Sequence, residues 1–408
     1  MTRHIIIHYD EIALKGKKRA RFEDQLVANL NGWLKHAALP FRARRSWGRV
    51  FIDPLDGADW ATHEDTLRAR LRRFPGVSSF GFAFACAKTP EALFASAQKL
   101  AARAKGGSFR ATAKRVDKSF PLSSQEIERE YGAAMLRAEP SLKVSLKHFD
   151  AEARIEVLDR DIVVYLKERG VGGLAVGSSG RIVALLSAGF DSPVASFLLM
   201  KRGGRMFPLH FHASELTTDE PLEAVRDLCV ELSRAQGPMK LALVSVTAIQ
   251  DHIAAHAPSP LRIILLRRSF LRMAERHAAT VRALALATGD SLGQVASQTL
   301  ENMRAIDEAA TLPVLRPLVG LNKTQIIDLA RFIGTADISA RPCADTCAMF
   351  VPKQPETRAR LGAVLEAEQA IIERLRALEE EALSAMRIWR FAWGRQLEDD
   401  EQKANDHQ

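Results

Sequence analysis

The chain has 408 residues, of which 47% are hydrophobic and 26% charged, with a net charge of +9 and an isoelectric point near 9.5. This composition is typical of a globular protein with two or three domains, and the positive charge favours a polyanionic partner. No apolar run reaches about 18 residues, acidic residues follow the N-terminus too closely for a signal peptide, and the cysteines are too few for a disulfide scaffold. We therefore expect a cytoplasmic protein without a membrane span.

The first predicted domain, residues 1–60, is a small α+β unit. Apolar runs and helical spacing predict a strand, a helix and a second strand over 3–8, 18–36 and 49–53. A basic loop that includes Lys15 and Lys17 precedes the helix. These cations are candidates for binding a nucleic-acid backbone.

The second predicted domain, residues 61–168, also alternates helices and strands. We expect helices over 62–73 and 90–105, and Ser123 with Glu126 forms a capping box for a third helix. A basic cluster lies on the central strand and the loop that leaves it, at Arg110, Lys114, Arg115 and Lys118. The cluster fits a phosphate backbone, although charge alone is equally consistent with a solvated strand end.

A glycine-rich linker is predicted over 169–180, and strand–helix repeats follow over 181–355. The strands are expected at 181–186, 205–211, 240–246, 282–288 and 312–316. The helices are expected at 192–202, 219–235, 261–278, 293–309 and 322–333. This alternation predicts a doubly wound parallel sheet that binds its ligand at the carboxyl ends of the strands. The remaining segment, 356–408, reads as one long amphipathic helix with an acidic tail.

The loop from Ser187 to Ser192 joins the first of these strands to its helix. Small residues entering a helix present backbone N–H groups and the positive end of the helix dipole to an anion, and Asp191 either fixes the loop or helps to hold Mg²⁺. The loop resembles the S-G-G-x-D-S pyrophosphate loop of the PP-loop ATP pyrophosphatases. Ala188 stands where that family has a glycine.

Five segments in order resemble the tRNA 4-thiouridine synthetases, also called tRNA sulfurtransferases. They are 9–17, 113–121, 172–180, 288–299 and 316–323, and the resemblance covers roughly residues 1–355. It implies an N-terminal ferredoxin-like domain, a THUMP RNA-binding domain and a PP-loop domain. It also implies ATP-dependent replacement of O4 by sulfur at uridine eight of tRNA, through adenylation of O4 and attack by a persulfide.

The resemblance further assigns an ATP site with Mg²⁺ bridging the phosphates. Its residues are Leu185, Leu186, Ser187, Ala188, Gly189, Asp191, Ser192, His210, Phe211, His212, Arg267, Gly289, Asp290 and Gln294. Arg267 would stabilise charge during adenylyl transfer, and Asp191 counts with it as catalytic. Arg268 could equally be a surface cation of the helix, and Lys323 a cation at a helix start with no catalytic part.

Sulfur transfer points to Cys347, which matches the family's cysteine, with Cys343 as a resolving thiol. An iron–sulfur cluster held by Cys343, Cys347 and Cys229 is an alternative that we do not favour, and a zinc site with His210 and His212 is favoured less. We expect Cys86 and Cys229 to be buried apolar residues.

Some family members carry a rhodanese domain, for which we see no counterpart here. We therefore expect a cysteine desulfurase to deliver sulfur directly to Cys347 or Cys343, with tRNA bound through the basic residues above. Two other functions stay open: a different PP-loop enzyme of tRNA modification, and a tRNA-binding protein whose ATP site is degenerate at Ala188. A homodimer is also left open.

Overall fold

The computed structural model describes residues 3–46, 48–104, 107–213, 220–342 and 354–398. The predicted cysteines Cys343 and Cys347 lie outside the described residues. The chain divides into two compact units, Met1–Leu174 and Ala175–Gln408, and this division falls within the predicted linker.

The first unit is built from eight strands and five α-helices among its described residues. In chain order they are β1 (Arg3–His8), a 3₁₀ helix (Glu11–Lys18), α1 (Arg19–His36), β2 (Phe41–Ser46), β3 (Arg49–Pro54), a 3₁₀ helix (Trp60–His63), α2 (Glu64–Leu71), β4 (Ser79–Ala87), α3 (Pro90–Ala95), α4 (Ala97–Arg103), β5 (Ser108–Arg115), α5 (Ser124–Ala138), β6 (Lys143–Val144), β7 (Ala151–Val157) and β8 (Asp161–Arg169).

All eight strands join one sheet in the order β2-β3-β1-β4-β8-β7-β5-β6. The antiparallel pair β4 and β8, with Phe84 opposite Val164, connects the two halves of the sheet. The predicted capping box of α5 is confirmed, because Ser123 and Glu126 bond each other's backbone N–H groups.

The helix predicted over 90–105 is wrong in one respect, because it is two helices that meet at Ser96. The buried Ser96 hydroxyl donates to the Leu93 carbonyl at 2.5 Å and contacts the Tyr131 hydroxyl at 3.1 Å. A serine hydroxyl that bonds a backbone carbonyl three residues earlier competes with the helical backbone hydrogen bonds, which explains the break between the two helices.

The second unit contains a seven-stranded sheet flanked by helices. Its described elements are β9 (Arg181–Leu185), α6 (Asp191–Lys201), β10 (Arg205–His212), α7 (Glu220–Gln236), β11 (Met239–Ser245), α8 (Thr247–His256), a 3₁₀ helix (Ser259–Leu261), α9 (Arg262–Val281), β12 (Ala285–Ala287), a 3₁₀ helix (Ala296–Gln298), α10 (Leu300–Asp307), β13 (Val314–Leu315), α11 (Lys323–Ile333), α12 (Ala336–Ser339), α13 (Leu361–Gln369), α14 (Ile372–Ser384), β14 (Arg387–Ala392) and β15 (Arg395–Gln396).

The strand order is β13-β12-β9-β10-β11-β14-β15, and the first five strands pair in parallel. The predicted doubly wound parallel sheet is therefore confirmed. Its strand order reverses between β12 and β9, since the chain runs from β9 through β10 and β11 before returning beside β9. Ligands of such sheets bind in the crevice outside the carboxyl ends of the strands at this reversal.

Two predicted helices differ from the structure. The region 293–309 forms only a 3₁₀ turn and α10, because Thr299 caps α10 by accepting from the Asn302 N–H. The long helix predicted over 356–408 is wrong: α13 and α14 are followed by the hairpin β14–β15, which pairs antiparallel with β11. Its residues Ile388, Trp389 and Phe391 favour a strand that covers the edge of the parallel sheet.

None of the helices in the described parts of the chain has the length and apolar character that a membrane crossing requires.

Candidate active site

A cavity of about 530 Å³ lies in the second unit where the strand order reverses. Its wall includes the residues that follow β9 and β12, namely Leu186, Ser187, Thr288 and Gly289, and residues of β10 and α9. This volume lies within the range of about 300–1,000 Å³ that is typical of small-molecule sites.

The loop after β9 is closed by the side chain of Ser192. The Ser187 backbone N–H donates to Ser192 Oγ at 2.9 Å, and Ser192 Oγ lies 3.1 Å from the Ser187 carbonyl oxygen. The loop thus turns back onto the first turn of α6, which begins at Asp191. The N-terminus of an eleven-residue helix forms part of the cavity wall, where its dipole favours an anion.

Asp191 lines the cavity and links three segments of the chain. Its Oδ1 accepts from Lys323 Nζ at 2.6 Å, and its Oδ2 accepts from Gln294 Nε2 at 2.9 Å. Lys323 is the first residue of α11, so it does stand at a helix start, but its ammonium group is directed to Asp191. The pair places a cation beside the anion-binding end of α6.

Gly289 packs against the start of α6. A Cβ built at this position would lie 2.7 Å from the Ser192 backbone nitrogen, closer than real Cβ atoms approach. Any larger residue would push the loop after β12 away from the loop after β9 and distort the crevice between them.

Asp290 holds two arginines of the cavity wall. Arg267 bonds its Oδ1, while Arg316 Nε donates to its Oδ2 at 3.1 Å and Thr288 Oγ1 donates to the same oxygen at 2.7 Å. Burial raises the pKa of Asp290, but Arg267, Thr288 and Arg316 together lower it to about 2. The carboxylate is therefore charged at neutral pH and orients both guanidinium groups.

Part of the cavity wall is apolar. The rings of Phe211 and Phe270 stack on each other with centroids 4.2 Å apart and planes within 11° of each other, and both line the cavity with Ile263 and Leu271. Apolar and aromatic wall residues of this kind suit a heterocyclic base.

His210 is a buried residue of the same cavity wall. Its Nδ1 lies 2.8 Å from the Leu186 carbonyl oxygen, so the proton resides on Nδ1. Among the described residues, neither His210 Nε2 nor Gln298 Oε1 has a hydrogen-bond partner, and both atoms are shielded from solvent. Burial lowers the pKa of His210 to about 4, and the Leu186 carbonyl only partly offsets this effect. His210 is therefore neutral at neutral pH.

The structure brings most of the predicted ATP-site residues into this cavity wall. These are Leu185, Leu186, Ser187, Asp191, Ser192, His210, Phe211, Arg267, Gly289, Asp290 and Gln294. Ala188, Gly189 and His212 are not in the wall. Ala188 is 9% exposed, so its methyl group packs largely within the protein.

The interpretation of Arg268 as a surface cation is wrong. Its side chain is buried and binds Glu368 at 2.7 Å and Glu308 at 2.7 Å. The prediction that Cys86 and Cys229 are buried is confirmed, and burial raises the pKa of both thiols. Within the described ranges, no group of three or more His, Cys, Asp and Glu side chains is arranged to hold a metal.

The sequence did not predict twelve of the residues that line the cavity, among them Phe270, Ser297, Gln298 and Arg316. Gln298 and Arg316 lie in motifs already singled out, which is a signal that was available. Ser297 accepts from Arg267 at 2.8 Å, a contact across 30 residues that no local pattern indicates.

The predicted tRNA-binding residues lie in the first unit. Lys17, Lys114 and Lys118 are exposed. Lys15 lies 5.3 Å from the centre of the Phe22 ring, and Arg110 lies 4.4 Å from that of Phe149. Arg115 instead organises the loop after β5, because it donates to the carbonyls of Phe120 and Leu122 at 3.1 and 3.0 Å.

Comparisons with known proteins agree with this architecture. Family models match over residues 4–81 (ThiI ferredoxin-like domain), 87–167 (THUMP domain) and 177–372 (Thiamine biosynthesis protein, ThiI). A probable tRNA sulfurtransferase of Thermus thermophilus is 41% identical over 94% of this chain and 93% of its own length. The chain belongs to the tRNA sulfurtransferase family.

A second relative of the tRNA sulfurtransferase family, from Moorella thermoacetica, is 40% identical over 91% of this chain and 95% of its own. Among solved structures, a 4-thiouridine synthetase in complex with RNA and bound ATP superposes with a TM-score of 0.83 and 32% identity, covering 96% of this chain and 100% of that one. The family and the fold expected from the sequence, with a ferredoxin-like, a THUMP and a PP-loop domain, are thus confirmed.

Proposed function

We propose that this protein replaces O4 of a tRNA uridine, at position eight, by sulfur, in a reaction that consumes ATP and releases AMP and pyrophosphate. The observation that carries the proposal is the cavity itself. Its wall combines a helix start suited to an anion, two arginines oriented by Asp290, and apolar and aromatic side chains. A nucleoside triphosphate offers such a wall both a polyanion and a heterocyclic base.

The superposed 4-thiouridine synthetase, which was solved with bound ATP, supports ATP as the ligand of this cavity. Mg²⁺ accompanies the triphosphate as part of the substrate, held mainly by phosphate oxygens as is usual for this ion. Asp191 is the carboxylate nearest to the helix start that would meet it.

In the first step, O4 of the uridine attacks the α-phosphorus and pyrophosphate leaves. Negative charge builds up on the phosphoryl oxygens, and Arg267 and Arg316 are oriented by Asp290 to stabilise it. The α6 N-terminus and Lys323 stabilise the departing pyrophosphate. The step converts a carbonyl oxygen, which is a poor leaving group, into an adenylate.

In the second step, a persulfide sulfur on Cys347 attacks C4 and AMP departs with the original O4. A second thiol then attacks the persulfide's cysteine sulfur, which leaves sulfur on the base and closes a disulfide; Cys343 is our candidate. A cysteine desulfurase supplies the persulfide, and an external thiol reduces the disulfide for the next turnover. These roles of Cys347 and Cys343 rest on the family resemblance.

The tRNA would bind through the first unit, where the THUMP domain lies. We retain Lys15, Lys17, Arg110, Lys114, Arg115 and Lys118 as candidate tRNA-binding residues, with Arg115 acting through the loop that it holds. That the superposed 4-thiouridine synthetase was solved with RNA and ATP supports both partners.

An isotope experiment tests the adenylation step directly. Unmodified tRNA carrying ¹⁸O at O4 of uridine eight is incubated with the protein, ATP, Mg²⁺ and a sulfide donor, and the AMP is analysed by mass spectrometry. We expect one ¹⁸O atom in each AMP and equal amounts of AMP and 4-thiouridine. Formation of ADP, or of AMP without the label while 4-thiouridine accumulates, would contradict this mechanism.

A further inference from the structure

A buried side-chain amide at the start of α10 joins two segments that lie outside this helix. Asn302 is in the first turn of α10 and is fully buried. Its Nδ2 donates to the carbonyl of Ala296 at 2.7 Å and to the carbonyl of Glu356 at 2.7 Å. Its Oδ1 accepts from the backbone N–H of Ala359 at 3.0 Å. One amide group therefore holds the backbone before α10 against the backbone of 356–359.

The first of these segments belongs to the candidate active site. Ala296 begins the 3₁₀ helix Ala296–Gln298, all of whose residues line the cavity. In this turn Ser297 accepts from Arg267 at 2.8 Å, and Gln298 Nε2 donates to Asp290 Oδ1 at 3.3 Å. The turn is thus bonded to the arginine and the carboxylate to which we assign stabilisation of the adenylation step.

The second segment follows the proposed sulfur carrier in the sequence. Pro355 comes eight residues after Cys347 and lines the same cavity. The adjacent Glu356 backbone N–H donates to the Pro260 carbonyl at 3.1 Å, and Ala359 is buried in the hydrophobic core of the second unit. The chain therefore reaches the cavity wall within eight residues of that cysteine, and backbone hydrogen bonds fix it there.

We propose that Asn302 is a positioning residue for sulfur transfer, because it holds the segment that follows Cys347 against the turn that contacts Arg267. The inference rests on the proposed function and deepens it. A displacement of about 1 Å at a reacting group can lower a rate about 10²-fold. Asn302 itself is not in the cavity wall, and the turn keeps its bonds to Arg267 and Asp290 when the amide is lost. The sulfur-transfer step therefore depends on Asn302 more strongly than adenylation does.

Gln236 provides a matched control in the same unit. It is buried at the end of α7 and lies outside the cavity wall. Its Oε1 accepts from the Met206 backbone N–H at 2.6 Å, and its Nε2 donates to the Met206 carbonyl at 2.9 Å. Asn302→Asp and Gln236→Glu each replace the amide nitrogen by an oxygen of similar size, which removes the donated bonds and keeps the acceptor.

Single-turnover reactions of the full chain separate the two steps. The protein is in excess over unmodified tRNA, with ATP and Mg²⁺, and a cysteine desulfurase with cysteine supplies sulfur. Pyrophosphate and 4-thiouridine are followed in the same samples. We expect Asn302→Asp to slow 4-thiouridine formation about 10- to 100-fold, while pyrophosphate release stays within about threefold of wild type. Gln236→Glu should change either rate less than about threefold.

ATP affinity and thermal midpoint, measured on the same samples, show whether each variant folds. If Asn302→Asp does not fold, Asn302→Ser is used with Gln236→Ser as its control, and the same difference between the two rates is expected. Equal losses in both steps would make Asn302 a support of the ATP cavity alone and would overturn the proposal. Unchanged sulfur transfer, or the same difference in the Gln236 variant, would also overturn it. Wild-type protein that forms no 4-thiouridine would instead overturn the proposed function.

Discussion

Asp290 gives the clearest test at the scale of single residues. It holds Arg267 and Arg316 together, whereas Asp307 contacts one of these two arginines, Arg316, through bonds of 2.8 and 2.5 Å. We expect Asp290→Asn to lower kcat/KM for AMP formation about 10²-fold or more, because two cations lose their orientation. The control Asp307→Asn should cost less than about tenfold. Equal effects of the two substitutions would contradict the role given to Asp290.

Ala188 replaces a glycine of the pyrophosphate loop, so the question is whether this substitution leaves the proposed nucleotide site intact. Its methyl group is largely buried and outside the cavity wall, so it should not crowd a triphosphate. We expect wild type and Ala188→Gly to bind ATP with dissociation constants within about threefold by calorimetry. No binding in wild type with binding restored in the variant would favour the reading as a tRNA-binding protein with a degenerate site.

A substitution at Cys347 should separate the adenylation step from the sulfur-transfer step. We expect Cys347→Ser to lose 4-thiouridine formation while tRNA-dependent adenylation continues, because the serine oxygen cannot carry a persulfide. The control Cys229→Ala removes a buried thiol in α7 and should retain both activities. Loss of both steps in Cys347→Ser would count against its assignment as the sulfur carrier.

At the scale of elements, α9 connects the cavity with the C-terminal helices. Arg267 lines the cavity, while Arg272 on another side of α9 binds Glu368 at 2.6 Å and contacts Glu379 at 2.5 Å. Glu368 also receives Arg268, so it pairs with two buried arginines. The helix that carries Arg267 is thus fixed by charges from α13 and α14.

We expect Glu368→Ala to lower the free energy of unfolding by about 1.5–3 kcal/mol, because two largely buried guanidinium groups lose hydrogen bonds to it, while Arg268 keeps Glu308 and Arg272 keeps Glu379. Glu366→Ala, on the exposed side of the same helix, should cost less than about 0.5 kcal/mol. Urea denaturation measures both. A small effect at Glu368 would mean that the network is not a stabilising contact between α9 and α13.

Periodicity predicted the parallel strands well, because buried parallel strands read as continuous apolar runs. It failed for the hairpin β14–β15, since an acidic, helix-favouring stretch precedes it and its pairing partner β11 lies about 150 residues earlier. Contacts between residues far apart in the sequence limit the prediction of the candidate active site in the same way. The loops after β9 and β12 were predicted from their motifs, but the hydrogen bonds that Arg316 donates to Asp290 and that Arg267 donates to Ser297 depend on tertiary packing.

At the scale of the whole molecule, the two units should respond differently to acid. The pKa of His210 is lowered from 6.5 to about 4. Between these pH values the unfolded protein binds more protons than the folded protein, so the free energy of unfolding falls as the pH drops through this window. Glu152 and Glu156 have pKa values lowered from 4.5 to about 2, so their contribution is complete above pH 4.5 and is lost only below it.

Hydrogen exchange followed by mass spectrometry across pH measures this difference. We expect protection of β9, β10 and β12 to decline as the pH falls below 6.5, while β7 and β8 keep theirs until the pH falls below 4.5. Simultaneous loss in both units, or earlier loss in the first unit, would contradict the assignment of the acid-sensitive groups.

The central claim is that ATP cleavage in the second unit drives sulfur into tRNA. Nucleoside mass spectrometry tests it most directly, on unmodified tRNA incubated with anaerobically purified protein, Mg²⁺ and sulfide, with and without ATP. We predict 4-thiouridine at position eight with ATP and none without it. Binding of tRNA and ATP without any 4-thiouridine would contradict the claim.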